Sequence, residues 1–210
     1  MAVLPMFPLG SVLFPTLVLP LHIFEERYRA LIRDVLEGDD EFGVTLIERG
    51  SEVGGGEDRL GIGTIANVQE AAELPDGRWA VIAVGTRRIQ VDQWLDDDPY
   101  PRAEVSDLPD PDPTDAELEV LPEVTASIRR ALAKVSEIGD TATPATTEFS
   151  DDPVVASYQL SALSPLSTID QHRLLCAPTV GLRLAMLQEL LPVAHEILDS
   201  RLGDPGSDMS

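Results

Sequence analysis

Positive charge is scarce in this chain. Fifteen lysines and arginines face 37 aspartates and glutamates, a formal net charge of −22. Small soluble domains usually carry a net charge of roughly 2–8. So acidic a surface repels phosphate backbones and anionic lipid, so the expected partners include no nucleic acid and no membrane. Lysine is almost absent, and Lys134 stands alone between Ala133 and Val135. A nucleotide P-loop needs Gly-Lys-Ser/Thr, because a lysine must reach the β- and γ-phosphates. No such loop exists here, and a Ser-Lys dyad would have to use a lysine on a helix whose apolar stripe faces elsewhere. Cysteine is limited to Cys176, so no intramolecular disulfide forms. That suits a reducing compartment. Residues 1–24 are apolar, but prolines interrupt them and no basic segment precedes them. They make a poor signal peptide. No run of about 20 apolar residues reads as a spanning helix. A cytoplasmic location is expected.

Chemistry-bearing constellations are equally thin. The histidines are His22, His172 and His195, and no Gly-x-Ser-x-Gly elbow occurs. His172 and Cys176 are four apart on one predicted helix, a spacing that suits zinc, but no second cysteine or close histidine pair completes a set. Gly61-Ile62-Gly63-Thr64-Ile65-Ala66 has the outline of a dinucleotide loop, yet strand-like sequence follows it where a helix is required. Glu25 and Glu26 are adjacent, so on a helix they point apart and make a poor acid/base pair. The expectation is no catalytic residue, no metal and no cofactor.

What the chain does have is an organising stretch at its start. Pro5, Pro8, Pro15 and Pro20 punctuate a nearly apolar run. Proline fixes φ and removes a donor, which predicts short extended pieces with turns at residues 8–10 and 14–16. From Leu21 onward Phe24, Tyr28, Leu31, Ile32 and Val35 recur at helical spacing, and Gly38 is the predicted stop. Strands are predicted at residues 42–49, 60–69, 78–84, 89–94 and 101–105. A mobile loop is expected between Gly50 and Asp58, a tight turn at residues 74–78, and another at residues 85–88. Alternating proline and aspartate at residues 107–115 mark a boundary. Helices follow. Thr114-Asp115-Ala116-Glu117 is a capping box, and one stripe is expected from Leu118 through Val135 to a stop near Gly139. Residues 140–150 read as a Thr-rich loop. Further helices are expected from Asp151-Asp152-Pro153, from Ser167, and from Thr179 with a kink at Pro192.

The opening run resembles the LON substrate-binding domain, the amino-terminal domain of Lon-type ATP-dependent proteases. The resemblance rests on Phe7-Pro8-Leu9-Gly10, Leu13-Phe14-Pro15, Leu19-Pro20-Leu21-His22-Ile23-Phe24-Glu25 and Arg27-Tyr28. The family often has glycine where this chain has Thr16, and proline where it has Glu26. Gly85-Thr86-Arg87-Arg88 and Asp170-Gln171-His172-Arg173-Leu174-Leu175 extend it, so that it spans roughly residues 3–200. The resemblance implies an α+β chain. A PUA-like β-pseudo-barrel with one short helix occupies residues 1–107. An acidic Pro/Asp linker covers 108–115, a C-terminal helical bundle 116–202, and a disordered tail 203–210. It implies a stand-alone, non-catalytic module that binds unfolded or extended polypeptide, with a protease or ATPase as a further expected partner. The candidate contacts are Phe14, Leu17, Leu19, Leu21, Phe24, Tyr28 and Trp94. Trp79 shares the ambiguity of Trp94 between anchor and core. The alternative is a small-molecule binder or hydrolase using a pocket between barrel and helices.

Overall fold

Proline placement decides how the first strand runs. β1 (Ala2–Leu9) passes through both Pro5 and Pro8, where a break was expected. The reason lies in its partners. Ala2 to Pro5 pair with β6 (Arg102–Asp107), while Met6 to Leu9 pair with β3 (Glu41–Arg49). Each half of β1 has a ladder on one side, so each proline can turn its missing donor to the unpaired side. The structure, a computed structural model, describes residues 2–49, 58–140 and 143–203, without the side chains of residues 48, 49 and 58. The loop expected between Gly50 and Asp58 and the tail after Gly203 therefore lie outside the described residues, apart from Asp58 at the start of a strand. Two compact units divide the chain, Met1–Pro109 and Asp110–Ser210.

In the first unit β2 (Val18–Ile23), α1 (Glu26–Glu37), β4 (Asp58–Glu73) and β5 (Trp79–Trp94) complete the elements. The strand order is β2-β5-β4-β3-β1-β6, and β5 pairs again with β6. Five strands thus form a closed ring, with β2 attached outside the ring along the first half of β5. The turn expected at residues 85–88 is absent, and β5 runs straight through it. β5 exchanges partners there instead, from β2 at residues 79–84 to β6 at residues 89–94. Gly85 serves close approach. A Cβ on it would lie 2.4 Å from the Phe14 carbonyl oxygen. Thr16 N–H donates to Gly85 O at 2.7 Å, Gly85 N–H donates to Leu17 O at 2.9 Å, and Thr64 Oγ1 donates to Leu13 O at 2.6 Å. These bonds stitch the β1–β2 turn onto the ring. Thr16 adopts a left-handed φ of 70° at the position where the family often has glycine.

The helix predicted from Leu21 starts later. β2 holds the chain extended to Ile23, and α1 begins at Glu26. Phe24 therefore lies before the helix, 56% exposed, while Tyr28, Leu31, Ile32 and Val35 form the buried stripe. Tyr28 stacks on Phe7 at 4.2 Å between ring centroids, inside a core that includes Phe42, Val44 and Val81. Burying each such side chain is worth about 1.5–3 kcal/mol. Met6, Ile65, Ile89 and Val105 form a second, smaller cluster.

The second unit contains α2 (Asp115–Leu118), α3 (Leu121–Ile138), α4 (Pro153–Leu163), α5 (Thr168–Cys176) and α6 (Val180–Gly203). The capping box at Thr114 and Glu117 is present. The single stripe expected from Leu118 is broken, because Pro122 sits in the first turn of α3 and starts a new helix. Gly139 ends α3 in the left-handed region, Asp152 caps α4, and Ser167 caps α5. Pro192 lies inside α6. No helix among the described residues is long and apolar enough to cross a membrane.

Candidate functional site

The expected contact residues separate into three groups. Phe14 is fully buried and Tyr28 is 3% exposed, so the core takes nearly all of both side chains. Leu17, Leu19 and Leu21 are half-buried and pack against that core. Trp94 is half-buried against the smaller cluster, where Arg59 covers its ring at 4.8 Å and itself pairs with Asp97 at 2.6 Å. Trp79 packs on the main core, and its Nε1 has no hydrogen-bond partner among the described residues. Only Phe24 is openly exposed.

Leu21, Phe24 and Tyr28 do meet. With Phe7, Leu9 and Ile23 they line a groove of about 240 Å³ beside β2. The apolar walls come from β1, β2 and the start of α1. Glu25 marks the polar end, accepting from Arg27 Nε at 3.2 Å, and the Arg27 guanidinium lies 4.4 Å from the Tyr28 ring centroid. On the outer face of the sheet a second concavity of about 260 Å³ is lined by Pro20, His22, Glu70, Ala72, Ala80 and Ile82. The sequence reading missed this face. Its signal was present, because residues 79–84 are apolar at both parities of the strand, which leaves one face apolar outside.

The helical unit has its own cavity of about 300 Å³, lined in part by Leu191 and Pro192 of α6. Ser127 Oγ and His195 Nε2 are 2.9 Å apart there, and Gln188 Nε2 donates to Glu123 at 3.1 Å. Burial, with help from Lys134 and Arg130, holds His195 below the ordinary imidazole value. The pair resembles a nucleophile and base. Ser127 sits inside α3, however, where neighbouring backbone N–H groups are spent on the helix, so no pair of them can hold an oxyanion. Lys134 pairs with Asp199 at 2.5 Å, and His172 Nδ1 lies 3.5 Å from Cys176 Sγ. No group of three or more His, Cys, Asp or Glu able to hold a metal occurs among the described residues.

A cluster that sequence reasoning did not find lies in the same unit. Arg183 is fully buried. It donates to Leu174 O at 3.1 Å, Ser157 Oγ at 2.7 Å and Asp110 Oδ1 at 2.9 Å, with Tyr158 donating to the other Asp110 oxygen. Asp110 falls in the stretch read as linker.

The apolar groove lies beside an outlying strand, at the end of the proline-punctuated opening. The model of the ATP-dependent protease La (LON) substrate-binding domain matches residues 3–192. The chain belongs to the LON substrate-binding domain family. It is 30% identical over 200 residues to Lon protease 2 of Herpetosiphon aurantiacus, covering 93% of this chain and 24% of that protein. The chain thus spans about a quarter of the length of the curated relatives it matches. Among solved structures, a Lon N-terminal domain protein from Xanthomonas campestris superposes with a TM-score of 0.66 at 27% identity, covering 90% of this chain and 98% of that one. The N-terminal domain of a Mycobacterium avium complex Lon protease gives the same TM-score at 19% identity, with 91% and 98% coverage, and so supports the fold alone. The LON domain seen here is a mixed sheet followed by helices, and the Phe7 to Tyr28 signature that carried the resemblance builds the β2 groove.

Proposed function

We propose that this LON domain is a recognition module that holds extended or unfolded polypeptide without altering it chemically. In this reading the β unit is a PUA-like pseudo-barrel, and the helices after it form a bundle. The single observation that carries the proposal is the exposed ring of Phe24 on the groove formed with Leu21 and Tyr28. An exposed aromatic beside a pocket of this size suits one large apolar side chain of a partner. Leu21 and Phe24 make the contact. Tyr28 forms the floor, Leu17 and Leu19 hold β2 in place, and Phe14 and Trp94 act only through the core. The acidic surface favours basic clients and disfavours nucleic acid and anionic membranes. Partnership with a protease or ATPase follows from the family, since the full-length relatives similar to this chain are Lon proteases. A cytoplasmic setting fits the same reading.

Binding to reduced, alkylated ribonuclease, a basic and permanently unfolded chain, tests this by fluorescence anisotropy. Phe24→Ser is expected to weaken binding by about tenfold, the loss of one well-packed aromatic contact. Unchanged affinity in the variant, or no binding by the parent chain, would refute it.

A further inference from the structure

Antiparallel strands alternate between residue pairs that exchange both backbone hydrogen bonds and pairs that exchange none. Gly85 N–H donates to Leu17 O, so residues 17 and 85 belong to the bonded set. The register Val18↔Val84 then puts 19/83, 21/81 and 23/79 in that set, and leaves 18/84, 20/82 and 22/80 unbonded. The backbone groups of Val18, Pro20 and His22 therefore face away from β5. β2 stands at the end of the strand order, so among the described residues no strand lies on that side. The edge carries three carbonyl acceptors and two N–H donors, because Pro20 contributes none. Proline on an open edge discourages indiscriminate pairing. Here it thins the edge without closing it.

The two concavities lie on opposite faces of this strand. The groove of Leu21, Phe24 and Tyr28 is on the inner face, and the concavity of His22, Ile82 and Glu70 on the outer one. Side chains of an extended segment alternate between faces. Resting on the proposed recognition role, we infer that the partner binds as an added β-strand along the open edge of β2. Its backbone donates to the carbonyls of Val18, Pro20 and His22. Its side chains enter the two concavities in turn. The inner one takes a large apolar side chain. The outer one takes an aliphatic stem ending in a cation, attracted across β5 by the Glu70 carboxylate. The occupant is an extended segment alternating apolar and basic residues, matched to a chain of net charge −22.

The probe is a dye-labelled peptide of about eight residues alternating leucine and lysine. Amide hydrogen exchange is read with and without saturating peptide. The Val18 and His22 amides are expected to exchange freely in the unbound chain and to slow by about tenfold on binding, the effect of one new hydrogen bond each. The Leu19 and Leu21 amides, already bonded to β5, stay unchanged. Peptides N-methylated at alternate amides are expected to divide by phase. One phase binds about tenfold more weakly and the other within about twofold of the parent. Bound peptide that leaves Val18 and His22 unprotected, or equal effects of both phases, overturns strand addition. Should Phe24→Ser still weaken binding of unfolded ribonuclease in that case, the recognition role stands and only its mode falls. If neither probe binds, both fall.

Discussion

The β unit and the helical unit satisfy their backbones by opposite means. The helical unit closes its helix ends with groups nearby in sequence: the side chains of Glu117 with Thr114, of Asp152 and of Ser167, and the left-handed backbone of Gly139. It also buries a cation, Arg183, against four partners. The β unit relies on distant strands, closes a ring with β6, and, among the described residues, leaves one strand with an open side. Local closure yields a self-contained scaffold. Non-local closure yields an edge, and an edge is where another chain can be read. The contrast predicts that damage to one unit stays in that unit. Both tryptophans, Trp79 and Trp94, lie in the β unit, so their fluorescence follows it while helical circular dichroism follows mainly the other.

The largest effect is expected at Arg183. Replacing it with Met strands the Asp110 carboxylate in a nearly buried site, and losing one partner of such a pair costs about 3–5 kcal/mol. Urea titration should show the helical transition collapsing while tryptophan fluorescence barely moves. A loss under about 1 kcal/mol would mean the cluster is not the keystone its burial implies. Next comes Gly85→Ala. Its new methyl meets backbone, the Phe14 carbonyl at 2.4 Å, and forces the turn off the ring. Overpacking of this kind costs about 1–3 kcal/mol, read this time by fluorescence and not by helical signal.

Thr16→Gly should act with opposite sign. A β-branched residue at φ 70° is strained, and glycine relieves that strain at the expense of a more flexible unfolded chain. A net gain of roughly 0.5–1 kcal/mol in the β unit is expected. Destabilisation would show that the threonine side chain contributes more than its backbone costs. The smallest effect is a pH slope. The folded state holds His195 below its ordinary 6.5, so the unfolded chain takes up a proton that the folded chain refuses. The helical unit is therefore most stable above pH 6.5 and weakens as pH falls from there toward the lowered value. His195→Gln should flatten the slope of helical melting temperature between about pH 7.5 and 5.5. An identical slope in the variant would place the proton uptake elsewhere.

The same contrast explains what could be read in advance. Helix starts at Asp152-Pro153 and Ser167 were legible because a cap and its helix lie within four residues of each other. Ring closure by β6 was not, since nothing local in residues 102–107 names β1 and β5 as neighbours. Gly85 was misread because glycine marks both a reversal and a close approach, and only the Phe14 carbonyl above it tells them apart. Phe24 fits the helical spacing of Tyr28, yet the β2 ladder with β5 keeps the chain extended past it, and that exposes the ring. Arg183 and Asp110 were invisible for a different reason. A charge is expected at the surface unless its partner is known, and these two are 73 residues apart.

Lys134 on α3, held by Asp199 of α6, and Cys176, at the end of α5, have one practical consequence. The chain's one side-chain amine and one thiol both belong to the helical unit. Side-chain labelling by thiol reagents, and by amine reagents once the α-amine is blocked, will thus fall on that unit at two addressable points and leave the β2 strand free of side-chain labels. A donor dye at one and an acceptor at the other would give an internal ruler for the helices, while the unmodified strand is titrated with client.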